Sequence, residues 1–365
     1  MATLIAGLGA AAPEHSIRQT DAAEYVQGMC VATPQRRVFA RSLYSHSGVE
    51  KRHSVLLEST NNGEAARQSF FSPPDDSARL GPTTGDRMDA YRAAAGPLAD
   101  RAARAALRDA SLAGADVTHL VLVSCSGFAA PGVDVALISS LGLPPTVSRT
   151  SVGFMGCHGA LNGLRVGDAY CRADPRAVVL VVAVELCTIH YQYDWTPERI
   201  IANSLFADGA AAAVLRAGEP GGAAGPPTIA ASYSEVLPDS LDAMTWRIGD
   251  NGFDMTLSRE VPGLIERETG DRVRRWLADA GLAAGDIAAW AIHPGGPRIL
   301  SACEAALGLP DDALVASRAV LADYGNMSSP TVLFVLERLR RAGPLTPCVM
   351  LGFGPGLAIE ALLLR

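Results

Sequence analysis

Two stretches decide the fold: LFADGAAAAVL at 205–215 and LGFGPGLAIEALLL at 351–364. Each is a glycine-containing turn that feeds an apolar strand, and each follows a strand–turn–helix passage. A passage that occurs twice marks a duplicated α/β unit. Between the copies lies AGEPGGAAGPP at 217–227, where Gly and Pro are too dense for a strand or helix interior. It reads as a linker or exposed crossover and separates a half at 1–217 from a half at 228–365. The site of such a fold is expected where the halves meet, at the carboxyl ends of strands.

Working outward, short continuous apolar runs predict buried strands at 120–123, 177–184, 210–215, 290–292, 348–351 and 357–364. Helical spacing predicts a helix at 90–110, with Pro97 as a kink or break. A second is expected at 263–280, with Val273, Trp276 and Leu277 on its inward face. A third is expected at 330–341, where Arg338, Arg340 and Arg341 suit the negative end of a helix dipole. The apolar start at 1–13 lacks a basic leader region and stops at Pro13, so it reads as a first strand and turn. No apolar run reaches the ~18 residues of a membrane span.

The 365 residues are 48% hydrophobic and 19% charged, which excludes a disordered chain. Net charge is −7 and no block of like charge stands out, so a nucleic-acid partner is not expected. Lys51 is the one lysine, leaving a single candidate for lysine-based chemistry. Seven cysteines stand at 30, 125, 157, 171, 187, 303 and 348, none in a CxxC pair. This disfavours a zinc ribbon, a redox pair or a disulfide scaffold, and fits a reducing cytoplasm. No metal site is expected.

Three residues carry chemistry in combination. Cys157, in SVGFMGCHGALNGLRVGDAY at 151–170, sits where a glycine-flanked turn enters a helix. Backbone N–H groups and the positive dipole end lower a thiol pKa toward the reactive thiolate. A small buried cysteine at a tight turn is the alternative. His293 ends a strand and precedes PGGPRIL, a rigid turn that leaves the imidazole little side-chain cover and free to meet a ligand. Alternatively it is a turn histidine bonded to the backbone. Asn326, in ADYGNMSSPTVLF at 322–334, is either a helix N-cap or a neutral donor to a developing oxyanion. Cys, His and Asn together supply a nucleophile, a proton-handling ring and a donor that never titrates.

At these residues the chain resembles a known family. GC at 156–157, HPGGPRIL at 293–300, YGNMSSPTVLF at 324–334 and GFGPG at 352–356 are similar to the signatures of type III polyketide synthases, the chalcone synthase family. The texture is closer to bacterial than to plant members. The resemblance implies an α/β thiolase-like fold of two repeated halves in αβαβα layers, assembled as a homodimer. It implies a Cys157–His293–Asn326 triad acting on CoA thioesters, with no further cofactor and no carrier protein. In this scheme a starter acyl-CoA loads Cys157, whose thiolate pairs with His293. Malonyl-CoA then loses CO₂ and condenses repeatedly, and the chain cyclises.

The same resemblance assigns cavity positions. Phe206 falls at an aromatic gatekeeper, and Met255 stands where a second aromatic is expected. Cys125, Ser126, Cys187, Ile189, His190 and Ser328 match cavity-lining positions. Ala130 matches a residue that reaches into the partner subunit's cavity. Trp246 falls where plant enzymes have Gly. Gly352, Phe353, Gly354, Pro355 and Gly356 form a backbone device at the cyclisation wall. Arg298 matches the CoA tunnel, and Arg36, Arg37 and Arg41 lie in the region that holds CoA phosphates. Met255 and Ala130 favour a roomier cavity, a fatty acyl starter and an alkylpyrone or alkylresorcinol product. Other readings are malonyl-CoA as both starter and extender giving a tetrahydroxynaphthalene-type product, a carrier-dependent ketoacyl synthase III-like enzyme, and a non-catalytic partner subunit.

Overall fold

The structure, a computed structural model, describes residues 1–29, 33–59, 67–73, 81–193, 196–220 and 225–365. Cys30 and the centre of the 217–227 linker lie outside the described residues. In chain order the first elements are β1 (Ala2–Ala11), β2 (Ser16–Arg18), α1 (Gln19–Met29), α2 (Pro34–Ser45), β3 (Lys51–His53) and α3 (Thr84–Asp109). Next come β4 (His119–Ser124), α4 (Val133–Leu141), β5 (Ser148–Gly153), α5 (Gly159–Ala173), β6 (Val178–Leu186), α6 (Pro197–Leu205) and β7 (Asp208–Gly218). After the linker follow β8 (Thr228–Val236), β9 (Met244–Gly249), β10 (Gly252–Leu257), α7 (Val261–Asp279), β11 (Ala289–Ile292) and α8 (Pro297–Leu307). The chain closes with α9 (Val315–Tyr324), α10 (Thr331–Ala342), β12 (Cys348–Gly354) and β13 (Ala358–Leu364).

The duplication is built into the main sheet, whose order is β11-β12-β13-β8-β1-β7-β6-β4-β5. Read outward from the β1–β8 seam, one side runs β1, β7, β6, β4 and the other β8, β13, β12, β11. The pairing senses match as well: antiparallel, antiparallel, then parallel on each side. The seam itself is short, with Thr3 opposite Ile229 and Leu4 opposite Thr228. A smaller rhyme, LAGAD at 112–116 and LAAGD at 282–286, precedes β4 and β11. Each aspartate closes its turn identically: Ala113 N–H donates to Asp116 at 2.8 Å and Ala283 N–H to Asp286 at 2.7 Å.

Alternation along the strands separates the layers. Leu120, Leu122, Leu180 and Val182 face one way and pack on the alanines of α3. Val121, Val123, Val179 and Val181 face the other way, onto α5 and α10 in the central layer. From the opposite side Cys348, Met350 and Leu362 close that central layer, while Val349, Leu351 and Leu363 pack outward on α7 and α8. The period-2 pleat thus gives each half a helix layer on either face, with one layer shared. This is the αβαβα stacking.

The expected strands and helices are present, with one correction. Pro97 neither ends nor divides α3, which runs unbroken from Thr84 to Asp109. Pro97 and Ala93, the residue whose carbonyl it leaves without a helical donor, are both exposed, so that carbonyl lies on the solvent side of the helix. The helix starts on a capping box, in which Thr83 Oγ1 accepts from Asp86 N–H and Asp86 accepts from Thr83 N–H.

Candidate active site

Cys157 lies in a single helical turn, Gly156–His158, that feeds α5, and it is buried. The turn is held against the end of β12 by two absent side chains. A Cβ on Gly354 would come within 2.4 Å of the His158 ring, and a Cβ on Gly156, at φ +72°, within 2.4 Å of Pro355. The 352–356 segment therefore grips the turn that carries Cys157. Pro355 alone of its residues touches the chamber described below. Gly352 and Gly354 face His158, Phe353 is buried in the outer core of the C-terminal half, and Gly356 forms the turn at φ +129°. The expectation that all five line the cavity is corrected accordingly.

Asn326 is not a helix cap, because α10 starts at Thr331 without a side-chain cap. Its backbone instead runs beside Phe206. Ala207 N–H donates to Asn326 O at 2.9 Å, and Asn326 N–H to Leu205 O at 2.8 Å. The Oδ1 of Asn326 accepts from Ser328 N–H at 2.8 Å, and Ser328 holds φ +57°, a strained angle for a non-glycine. From this loop the side chains of Ser328 and Asn326 act on Cys157, pulling its thiol pKa down against burial.

An inner chamber enclosing about 360 Å³ of atom-free space opens beside Cys157. Cys125, Ser126, Cys187, Phe206, Met255 and Ser328 line it. Glu185, Met244 and Trp246 line it too. An outer chamber of about 500 Å³ shares Cys187, Phe206, Trp246 and Met255 with the inner one and adds His190, Arg52 and Arg199. Those four shared side chains form the partition between the chambers.

Several expected lining residues lie elsewhere. Ala130, expected at the partner subunit's cavity and not at this one, is exposed. Ile189 is fully buried in the core under α3, and only its carbonyl is engaged, by Arg87 at 2.6 Å. Arg298 at the start of α8 and Arg36, Arg37 and Arg41 on α2 are all exposed. The cations that line the outer chamber are Arg52 and Arg199. Arg52 donates to Asn203 O at 2.6 Å and Phe206 O at 3.0 Å, and Arg199 pairs with Asp254 at 2.8 Å.

His293 departs most from expectation. It is buried rather than thinly covered, and neither ring nitrogen has a hydrogen-bond partner. Burial, with a smaller contribution from His158, lowers its pKa to about 3. Burial pushes the Cys157 thiol up to about 11, although Ser328 and Asn326 pull it back. Burial thus works against charge on both groups, raising the thiol and lowering the imidazole. A buried imidazole with two unsatisfied nitrogens is a group held ready for a partner.

Two polar residues hold the walls. Glu185 is buried and accepts from Ser126 Oγ at 2.6 Å, Ser329 Oγ at 2.7 Å, Ser126 N–H at 2.9 Å and Cys125 N–H at 2.9 Å. It ties the end of β4 to the 326–329 loop of the other half. The sequence signal for it was one carboxylate closing an otherwise apolar strand. His190 accepts from Phe253 N–H through Nδ1 at 3.0 Å and donates from Nε2 to Ser126 O at 2.6 Å, which fixes its tautomer. Its ring stacks on Phe253 at 4.2 Å, and Trp246 meets it edge-on while donating Nε1–H to Cys125 O at 2.8 Å.

Burial holds the His190 pKa near 3. A base depressed in the folded state contributes stability above its unfolded pKa of ~6.5, lost as pH falls. From this one ring, about 2 kcal/mol is expected to disappear between pH 7 and pH 5. In urea titrations at those two pH values, His190→Gln, which keeps one donor and one acceptor, should show a correspondingly smaller loss. An equal loss in both proteins would refute the assignment.

Residues 1–220 match the N-terminal domain of the chalcone and stilbene synthases, and residues 228–365 match their C-terminal domain. The chain belongs to the chalcone synthase family of type III polyketide synthases. It is similar to a 1,3,6,8-tetrahydroxynaphthalene synthase of Streptomyces peucetius subsp. caesius, at 36% identity over 100% of this chain and 93% of that protein. It is also similar to the α-pyrone synthesis polyketide synthase-like Pks18 of Mycobacterium tuberculosis, at 34% identity over 99% of this chain and 90% of that one. Among solved structures, PKS-I of the brown alga Ectocarpus siliculosus superposes with a TM-score of 0.91 at 31% identity, covering 100% of this chain and 98% of that chain. The type III polyketide synthase is thus an acyltransferase that performs decarboxylative condensation. The ketoacyl synthase III-like and non-catalytic readings of the sequence fall away. No helix of the described residues is long and apolar enough to cross a membrane.

Proposed function

We propose that Cys157 carries the growing acyl chain and that His293 and Asn326 handle the proton and the enolate oxygen. The reading rests on one convergence: the Asn326–Ser328 loop of the C-terminal half lowers the pKa of a thiol of the N-terminal half, Cys157, at a chamber that Cys157 and Ser328 both line. The catalytic work is thereby divided between halves at 1–217 and 228–365. As a starter acyl-CoA enters, the Cys157 proton passes to His293 and the sulfur attacks the thioester carbonyl. CoA leaves as its thiolate and takes up that proton. Malonyl-CoA follows and loses CO₂, and the resulting enolate oxygen takes hydrogen bonds from His293 and Asn326. One such donor is worth about 2.7–4 kcal/mol of barrier. The enolate carbon then attacks acyl-Cys157, the sulfur leaves, and the longer thioester reloads. Phe206, in the partition, gives the carboxylate an apolar wall that favours its departure as neutral CO₂.

The scheme needs CoA thioesters and no further cofactor or carrier protein, and it suits a cytoplasmic enzyme. The exposed arginines Arg36, Arg37, Arg41 and Arg298 are the ligands we propose for CoA phosphates, with Arg52 and Arg199 at the chamber itself. For the starter we propose a medium or long fatty acyl group, yielding an alkylpyrone or alkylresorcinol. The support is Met255 in the partition, an unbranched thioether that yields to a flexible chain. A malonyl starter is the second reading, favoured by the tightness of the inner chamber and by Trp246 across it. Mass spectrometry of products from a starter panel with malonyl-CoA and no carrier protein tests both. Products from fatty acyl-CoA over malonyl-CoA alone are expected. Turnover confined to malonyl-CoA or to aromatic starters would overturn the fatty acyl assignment.

A second copy of the chain is the proposed partner. The outer edge of β5 ends the sheet, and the neighbouring Phe128, Phe154 and Met155 are 59%, 40% and 41% exposed. An open strand edge flanked by apolar side chains calls for cover. Sedimentation should give twice the 38.0 kDa chain mass, and a monomer at micromolar concentration would refute it.

A further inference from the structure

The residue after the nucleophile is a buried histidine that the chemistry above does not use. His158 donates Nδ1–H to Asn162 Oδ1 at 2.6 Å, one turn along α5. The opposite edge of its ring is packed on β12, where only glycines fit. A Cβ at 354 would lie 2.4 Å from Cδ2 and 2.7 Å from Nε2, and one at 352 would lie 3.3 Å from the His158 Cβ. Next to Gly352 across the β12–β13 pair stands Glu360, bonded to Arg165 at 2.8 Å and Ser234 at 2.6 Å. The imidazole is therefore clamped between a helix of one half and a strand of the other, with Cys157 on its backbone.

We propose that His158 is a positioning residue that sets the Cys157 turn against the C-terminal half and acts electrostatically on His293. This rests on the assignment of Cys157 and His293 above. The charged and titratable groups around His158 are Arg165 on α5, Glu360 on β13, and His293 after β11. A proton on His158 opposes one on His293, because both are buried and positive charges repel in low dielectric. Burial keeps His158 on the neutral side, against the hydrogen bond to Asn162, which favours its proton; neutral, it leaves His293 free to accept the Cys157 proton. Asn162→Asp would put an anion against Nδ1, favour the imidazolium and oppose that proton.

Three variants test this. His158→Ala is expected to lower kcat about tenfold or more, with KM for malonyl-CoA within about twofold, since misplacing a reacting group by ~1 Å can cost 10²-fold. His158→Asn, whose Nδ2–H can replace the donor to Asn162, should recover much of that loss. Asn162→Asp should move the acid limb of the kcat profile, and the movement should vanish in His158→Asn/Asn162→Asp. A structural role alone would leave that limb in place. Normal kcat in His158→Ala, no recovery in His158→Asn, or an unmoved acid limb in Asn162→Asp would each overturn the inference. If His158→Ala does not fold, the two conservative variants still decide. Failure of the underlying assignment is distinguished by Cys157→Ala: full turnover there removes the nucleophile itself, whatever His158 does.

Discussion

Cys157→Ala is expected to abolish chain extension, with a loss of roughly three orders of magnitude or more in turnover and little change in folding. Removing a covalent nucleophile takes away the intermediate through which every round passes, and such losses are among the largest single substitutions cause. The chamber wall would lose one sulfur and no backbone contact, so urea denaturation should shift modestly. The thiols offer a second readout. Burial raises Cys157 to about 11, Cys171 and Cys348 to about 12, and Cys303, Cys125 and Cys187 further. At Cys157 the Ser328 and Asn326 side chains pull the thiol back down against its burial. Iodoacetamide near neutral pH is therefore expected to label Cys157 ahead of the other described thiols. Retained turnover in Cys157→Ala, or labelling no faster than at the other cysteines, would sink the assignment.

The second large effect is on stability. Glu185→Ala is expected to cost about 3–5 kcal/mol, the range for breaking a buried polar network by removing one partner. Its carboxylate is the shared acceptor for two hydroxyls and two amides, none of which has water to turn to. The damage would not stay local, since Ser126 belongs to the chamber wall and Ser329 to the loop that presents Asn326. Glu185→Gln keeps one acceptor oxygen and should lose less. A loss under about 1 kcal/mol in Glu185→Ala, measured by urea titration at pH 7, would show the network to be solvated after all.

Much of the fold is legible because buried strands announce themselves. The runs at 120–123, 177–184 and 348–351 are apolar on consecutive residues, which only a sheet covered on both faces explains. The repeat was legible from the glycine turns at 205–215 and 351–364. The shorter LAGAD and LAAGD pair carries the same message, but five residues of low-information sequence are too few to announce it. Pro97 misled, because a proline's effect on a helix depends on whether its orphaned carbonyl meets water.

The site was legible residue by residue and not as a geometry. Phe206 and Asn326 are 120 positions apart, and only the pairing of their backbones shows that the two share one bridge. Arg52 and Arg199 look like solvated cations in sequence, yet line the outer chamber, while Arg36, Arg37, Arg41 and Arg298 stand in solvent.

By itself the sequence determined the α/β class, the duplication, the family and the identity of the nucleophile candidate. Those follow from short-range pattern: apolar periodicity, glycine turns, and motifs whose residues are neighbours in the chain. The tertiary structure decided which side chains share a wall, that burial works against charge on both Cys157 and His293, and that the GFGPG segment grips the His158 turn while Pro355 alone of it meets the chamber. Those depend on desolvation and on contacts between the two halves, and neither quantity is carried by any local stretch of sequence.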